Sequence, residues 1–328
     1  MSVITAIKLK KRTSRWSELV RRLEHGDVIF RLLTLAAGML VILAAIGIGF
    51  ELWQNSARPR AEFGFDFLVG TNWDPVIEDF GALPFLYGTL QTSLFSLLIA
   101  VPIGLGIAIF LTELAPDWLL QPVGFVVELL AAVPSVIFGL WGLFVFVPVV
   151  VKPFAQFLNG TLGWLPIFEG PVFGPSRLAA TLILSIMVLP TLVAISRDVF
   201  LAIPPSQREG ALGLGATRWE MITQNLIPYG LSGILGAVIL ALGRAMGETI
   251  AVTMVIGNNL DLSASLLHPG YTMASLIANE FTEATTDMYR EALILIGFVL
   301  FGLTLLVNII ARLLVWRVAR RIPTESRA

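Results

Sequence analysis

The chain has 328 residues, 56% of them hydrophobic and 14% charged, with 22 Lys and Arg against 23 Asp and Glu. Soluble domains carry about 25% charged residues, and a mean hydropathy of +0.83 leaves too little polar surface to cover water-facing cores, which excludes a soluble globular enzyme. A net charge of −1 gives no basic field for nucleic acid. With no cysteine, and with His25 and His268 far apart, neither a metal site nor a cofactor is expected.

A helix needs about 20 mostly apolar residues to cross a bilayer, and the chain has six such stretches. Residues 1–28 form a basic leader carrying Lys8, Lys10, Lys11, Arg12, Arg15, Arg21 and Arg22. The first span, 29–52, is too long for a cleaved signal peptide and reads as a retained anchor. Residues 53–85 are expected as a periplasmic loop, acidic at Glu62, Asp66, Asp74, Glu78 and Asp79. The remainder, 86–328, is expected to hold five more spans at 86–112, 123–151, 177–201, 229–257 and 292–316. Pro134 and Pro148 interrupt the third of all six, and residues 118–133 could stand as a separate surface helix, which leaves five or seven spans open. Residues 152–175 read as an irregular Gly/Pro-rich loop, in which Asn159-Gly160-Thr161 matches a glycosylation acceptor. The chain ends on Arg312, Arg317, Arg320, Arg321 and Arg327. Basic residues at both ends put both termini in the cytoplasm, which agrees with an even number of spans. The apolar runs are continuous instead of alternating with period two, so the fold is an all-α integral membrane protein and not a barrel.

Residues 202–228 are the longest inside segment between spans. Pro204 and Pro205 stop the fourth span. Ser206 with Glu209, and Thr217 with Glu220, have the spacing of capping boxes, and Gly213 or Gly215 can end the first of two short helices. The pair would display Ala211, Leu212, Leu214 and Trp219, either to the groove of a partner or to lipid as an interfacial helix.

The fifth span holds Arg244 near its centre, with Glu248 four residues on. An arginine at that depth costs about 2.5–3.5 kcal/mol unless it is paired or wet. At about 100° per residue, Gly236, Gly243 and Gly247 share one stripe, expected to pack against a neighbouring helix. Ala237, Ala241, Arg244, Glu248 and Val255 fall on the next face, expected to line a water-filled anion path. The other reading is a buried Arg–Glu bridge that only locks the bundle. If an oxyanion passes, the guanidinium fork of Arg244 matches it. Glu248 can then neutralise Arg244 between turnovers and accept a hydrogen bond from a protonated phosphate oxygen.

Glu209-Gly210-Ala211, Gly215 after three residues, and Ile227-Pro228 resemble the EAA signature of ABC importer membrane subunits, in which E-A-A is followed by three residues, G, nine residues, I, any residue and L-P. Gly210 and Asn225 depart from it, and Ile227 replaces the leucine conservatively. The resemblance implies that Glu209, Ala211 and Gly215 form the docking surface for an ATP-binding subunit, with Asn225 outside the contact. Gly243 to Asn258, GRAMGETIAVTMVIGN, and Leu276 to Phe281, LIANEF, are similar to the corresponding runs of phosphate importer permeases of the PstC type. That family implies the type I, MetI-like permease fold with 202–228 as the coupling loop, inorganic phosphate as substrate, and Arg244 and Glu248 on its path. It also implies a heterodimer with a PstA-like permease, two ATP-binding subunits on the cytoplasmic side, a periplasmic or lipid-anchored phosphate-binding protein, and residence in the inner (plasma) membrane.

The sequence contains no G-x-x-x-x-G-K-[ST] and no catalytic set, so a transport subunit is expected, not an enzyme, with ATP hydrolysed by partners. Two alternatives are a permease for sulfate or molybdate and a stand-alone ion-coupled secondary transporter. The latter calls for inverted repeats, and none is evident.

Overall fold

The computed structural model describes residues 27–321. Residues 1–26 of the basic leader, and Arg327, lie outside the described residues. The chain divides into two units at Gln54, and among the described residues six helices are long and apolar enough to cross a membrane. The first unit contributes helix α1, Asp27–Gln54, where 29–52 is expected.

The second unit opens with a segment that is built, not a plain loop. Helices α2, Ala57–Phe63, and α3, Asp66–Val69, lead into strand β1, Trp73–Asp74, antiparallel to β2, Asp79–Phe80. Helix α4, Leu83–Ile109, then continues through a π-helical turn, Phe110–Leu114. The third span is displaced from its expected place. Pro116 and Pro134 are both extended, at ψ 152° and 143°, because the ring fixes φ while ψ stays free for the extended form. They bound a separate helix α5, Asp117–Ala132, so the membrane span runs Ser135–Leu162 instead of 123–151. It comprises α6, Ser135–Trp141, a π-helical stretch Gly142–Val151 that absorbs Pro148, and α7, Lys152–Leu162.

Half of the expected loop 152–175 is therefore helical. Asn159, in the glycosylation-like triplet, donates from Nδ2 to the carbonyls of Phe168 and Gly170, both at 2.9 Å. Its amide folds the following turn back onto the helix.

Helix α8, Arg177–Leu201, matches its expected bounds. After it come α9, Pro205–Gly213, α10, Arg218–Glu220, a π-helical turn Met221–Leu226 and α11, Ile227–Gly247. The chain ends in α12, Ile250–Val255, α13, Met273–Glu280, and α14, Asp287–Arg321.

Small residues let α4, α8 and α11 pack closely, as lipid-solvated helices do. Leu97, Ala100, Val188, Leu192, Ala237, Ala241 and Ala245 form their shared core, and Ser185 Oγ donates across to the Ser96 carbonyl at 3.2 Å. Leu94 and Leu98 on α4 and Leu305, Leu306 and Ile309 on α14 point outward, an apolar surface suited to acyl chains. A second core, built from Trp73, Phe80, Phe85, Tyr271 and Tyr289, closes the end bearing the β-ribbon.

Candidate substrate path and coupling surface

The fifth span is not one helix. After Gly247 the chain turns extended at Glu248, φ −67° and ψ 125°, and helix resumes only at Ile250. The i, i+4 register assumed for Arg244 and Glu248 ends at that break, and no ion pair joins them among the described residues. Instead Arg244 Nη1 donates to Thr191 Oγ1 of α8 at 3.2 Å, while Glu248 Oε1 accepts from the Ala251 amide at 3.4 Å. The locking bridge is absent, and the guanidinium is exposed within this chain.

The two expected faces of this helix are exchanged. Ala237, Ala241 and Ala245 are the packed stripe, 0%, 0% and 4% exposed, and Val255, beyond the break, is buried in another core. A side chain added at Gly236 or Gly247 would meet no atom within 4 Å, and one at Gly243 would only reach Asn308 at 4.0 Å. Close helix approach falls to Gly230 and Gly233, both against Val199. Gly236, Gly243 and Gly247, with Leu240 and Arg244, therefore form an open face. A forked cation beside a hydroxyl on such a face can bind a tetrahedral oxyanion through several N–H donors.

In the loop between the fourth and fifth spans, only one capping box forms. Thr217 Oγ1 accepts from the Glu220 amide at 3.2 Å, and Glu220 Oε2 accepts from the Thr217 amide at 2.8 Å. Ser206 caps nothing, because helix α9 begins earlier, at Pro205, with Pro204 in the cap position. Gly215 sits at φ +89°, a conformation nearly closed to other residues. Glu209 and Gly215 are exposed.

Ala211 differs from both. It is half-buried against Phe200, Ile203, Met221 and Leu226 and forms part of the floor of a groove of about 470 Å³ that also takes in Gly210, Leu214, Gln224 and Asn225. Leu214 and Trp219 protrude, 92% and 69% exposed. Asn225 Nδ2 donates to the Gln207 carbonyl at 2.7 Å, tying the π-helical turn to α9. The residue that breaks the EAA pattern thus holds the loop in shape.

Two polar centres at the ribbon end join residues that sequence spacing does not bring together, although one of them, Glu280, lies in the LIANEF run. Glu280 Oε2 accepts from Trp73 Nε1 at 2.7 Å and from the Tyr289 hydroxyl at 2.8 Å, joining α13, β1 and α14. Burial pushes the Glu280 carboxyl above its ordinary range, with nearby Glu283 adding to the shift and the two donors opposing it. The folded chain then holds this proton where the unfolded chain has lost it, so the contribution is full below the ordinary value of about 4.3 and declines as pH rises through the raised value. Thermal unfolding of the detergent-solubilised protein should lose stability over that interval, and Glu280→Gln should flatten the slope. An unchanged slope would remove Glu280 as its source.

Arg177, the first residue of α8, is wholly buried. Its Nη2 donates to the Asp261 carbonyl at 2.9 Å, its Nη1 to that of Ser263, and its backbone amide to that of His268 at 3.1 Å. Its guanidinium lies 5.8 Å from the Tyr87 ring centroid.

The description of binding-protein-dependent transport system inner membrane components matches residues 100–320. The chain is 45% identical over 322 residues to a protein of Xylella fastidiosa (strain 9a5c) named phosphate transport system permease protein PstC, covering 97% of this chain and 99% of that one. A protein of the same name from Mesorhizobium japonicum is 45% identical over 325 residues, 98% of this chain and 99% of that one. Among solved structures, one chain of a bacterial ABC transporter involved in the import of the acidic polysaccharide alginate superposes with a TM-score of 0.59, covering 92% of this chain and 99% of that one. At 18% identity that likeness concerns the fold.

Proposed function

The chain belongs to the binding-protein-dependent transport system inner membrane components, and from that membership we propose that it forms half of the phosphate path of an ATP-driven importer. It is a multi-pass membrane protein with the fold of an ABC importer permease, a transport component that works with ATP-binding and substrate-binding partners. A PstA-like permease covers the open face of α11 to complete a heterodimer, two ATP-binding subunits lie on the cytoplasmic side with one of them seated on 202–228, and a periplasmic or lipid-anchored binding protein delivers inorganic phosphate. Both termini lie on the cytoplasmic side of the inner membrane.

The observation that carries the choice of phosphate over sulfate or molybdate is the near-full-length identity to relatives named for phosphate transport. Arg244 supplies the matching chemistry. It receives the anion in the fork, with Thr191 orienting the guanidinium, and alternating access turns this face from one side to the other. Glu248, at the helix break, neutralises Arg244 in a state other than the one described and accepts from a protonated phosphate oxygen. Glu209 and Gly215 present the docking surface, and Ala211 shapes the groove beneath it.

The test is uptake of labelled phosphate in vesicles holding the whole importer. Glu209→Arg reverses an exposed charge on the docking surface, and should weaken retention of the ATP-binding subunit about tenfold, or ~1.4 kcal/mol, with uptake falling in step. Full retention and full uptake would end the assignment of 202–228 as the docking loop.

A further inference from the structure

One guanidinium ties the coupling loop to two spans at once. Arg208 of α9 donates from Nη2 to Glu113 Oε1 at 2.7 Å and from Nε to Glu113 Oε2 at 3.1 Å, a two-point fork. The same side chain donates from Nη1 to the Ile203 carbonyl and from Nη2 to the Phe200 carbonyl, each at 2.8 Å. Glu113 lies in the π-helical turn that closes α4, while Phe200 is at the end of α8. The Glu113 side chain is 6% exposed and that of Arg208 22%, so the pair is sheltered from the screening that makes surface ion pairs weak.

We infer that the Glu113–Arg208 clamp is the transmission link of the importer, passing displacement of the coupling loop to α4 and α8 together. This rests on reading 202–228 as the loop that meets the ATP-binding subunit. The two spans it grips pack against each other along their length, with Leu192 of α8 against Gly104 of α4. From Phe200 to Thr191 along α8 is about 14 Å at 1.5 Å per residue, and Thr191 holds Arg244. A continuous run of packed or hydrogen-bonded groups thus joins α9 to the cation on the open face. Arginine suits the position because four fixed donor directions are used simultaneously; a lysine carries the charge but not the fork.

Spatial continuity alone does not establish coupling, so the measurement is a double-mutant cycle on the ratio of phosphate imported to ATP hydrolysed. The whole importer is reconstituted with inorganic phosphate as substrate, carrying Glu113→Gln, Arg208→Lys or both. Each single variant should remain assembled and hydrolyse ATP, yet import about fivefold less phosphate per ATP. The double variant should be no worse than the poorer single one, since both cut the same link. An unchanged ratio, losses that multiply in the double variant, or failure of both single variants to assemble would overturn the inference, the last by assigning the pair to folding. Wild-type uptake that did not need ATP would instead fail the underlying reading, independently of the variants' ratios.

Discussion

Arg244→Gln should lower phosphate uptake about 100-fold, equivalent to ~2.7 kcal/mol, while leaving the importer assembled. The size follows from what the side chain gives up. Truncating one partner of a hydrogen-bonded charge pair costs about 2–5 kcal/mol, and glutamine offers the phosphate neither the charge nor the fork. The fold, by contrast, loses little. Among the described residues Arg244 makes one hydrogen bond, to the uncharged Thr191 hydroxyl at 3.2 Å and on an exposed face, and the core beside it is made by Ala237, Ala241 and Ala245. Arg244→Lys keeps the charge without the fork and should fall between, about tenfold down. Uptake by reconstituted vesicles, read beside thermal unfolding of the same preparations, separates the two effects. In the same assay Glu248→Gln reads the role given to the carboxylate, because phosphate carries a proton that sulfate lacks and preference between them should narrow. Wild-type transport by Arg244→Gln would remove this residue from the path.

The spans were legible because bilayer thickness imposes a length on apolar runs, and each of the six stretches meets a helix of that kind. What failed had local causes. The third span is misplaced because hydropathy runs straight through Val133 and Pro134, while the backbone turns extended there. The fifth is broken at Glu248 without a proline to mark it. Its faces are exchanged because in lipid the packed and open sides of a helix are both apolar, so the contrast that marks a soluble helix is missing. Alanine and glycine stripes both suit close packing, and periodicity cannot rank them. The EAA-like pattern of 202–228 was legible at Glu209, Gly215 and Pro228, yet the ties that shape this loop, from Asn225 to Gln207 and from Arg208 to Glu113, join positions far apart in sequence. Glu280 with Trp73 is a longer-range case of the same kind.

Arg177→Met should destabilise the fold by about 3 kcal/mol, from two charge-assisted hydrogen bonds lost at about 1.5–3 kcal/mol each less the relief of no longer burying a cation. That relief is real, since replacing buried charges by apolar groups of similar volume is often neutral or better. It loses here because the partners of Arg177 are the backbone carbonyls of Asp261 and Ser263, which cannot be exchanged with the side chain and are not freed of their need for a donor by its removal. Methionine approximates the volume, so the loss is polar and not a cavity. Gly270 offers a second approach to the same point. A methyl group there would press on the guanidinium, and Gly270→Ala should loosen the same loop with Arg177 intact. The consequence for transport follows from what the loop holds. Gly270 donates from its amide to the Ile256 carbonyl at 3.1 Å, and Ser176, the neighbour of Arg177, donates to the Val255 carbonyl at 3.0 Å, so the far end of α12 is fixed at this spot. The break at Glu248 and Thr249 separates this anchored helix from α11 and Arg244. Faster amide hydrogen exchange through 259–270 in both variants, with a melting temperature lowered by about 6–10 °C in Arg177→Met, is the expected result. Unaltered exchange in that loop would mean the buried arginine is not what anchors α12.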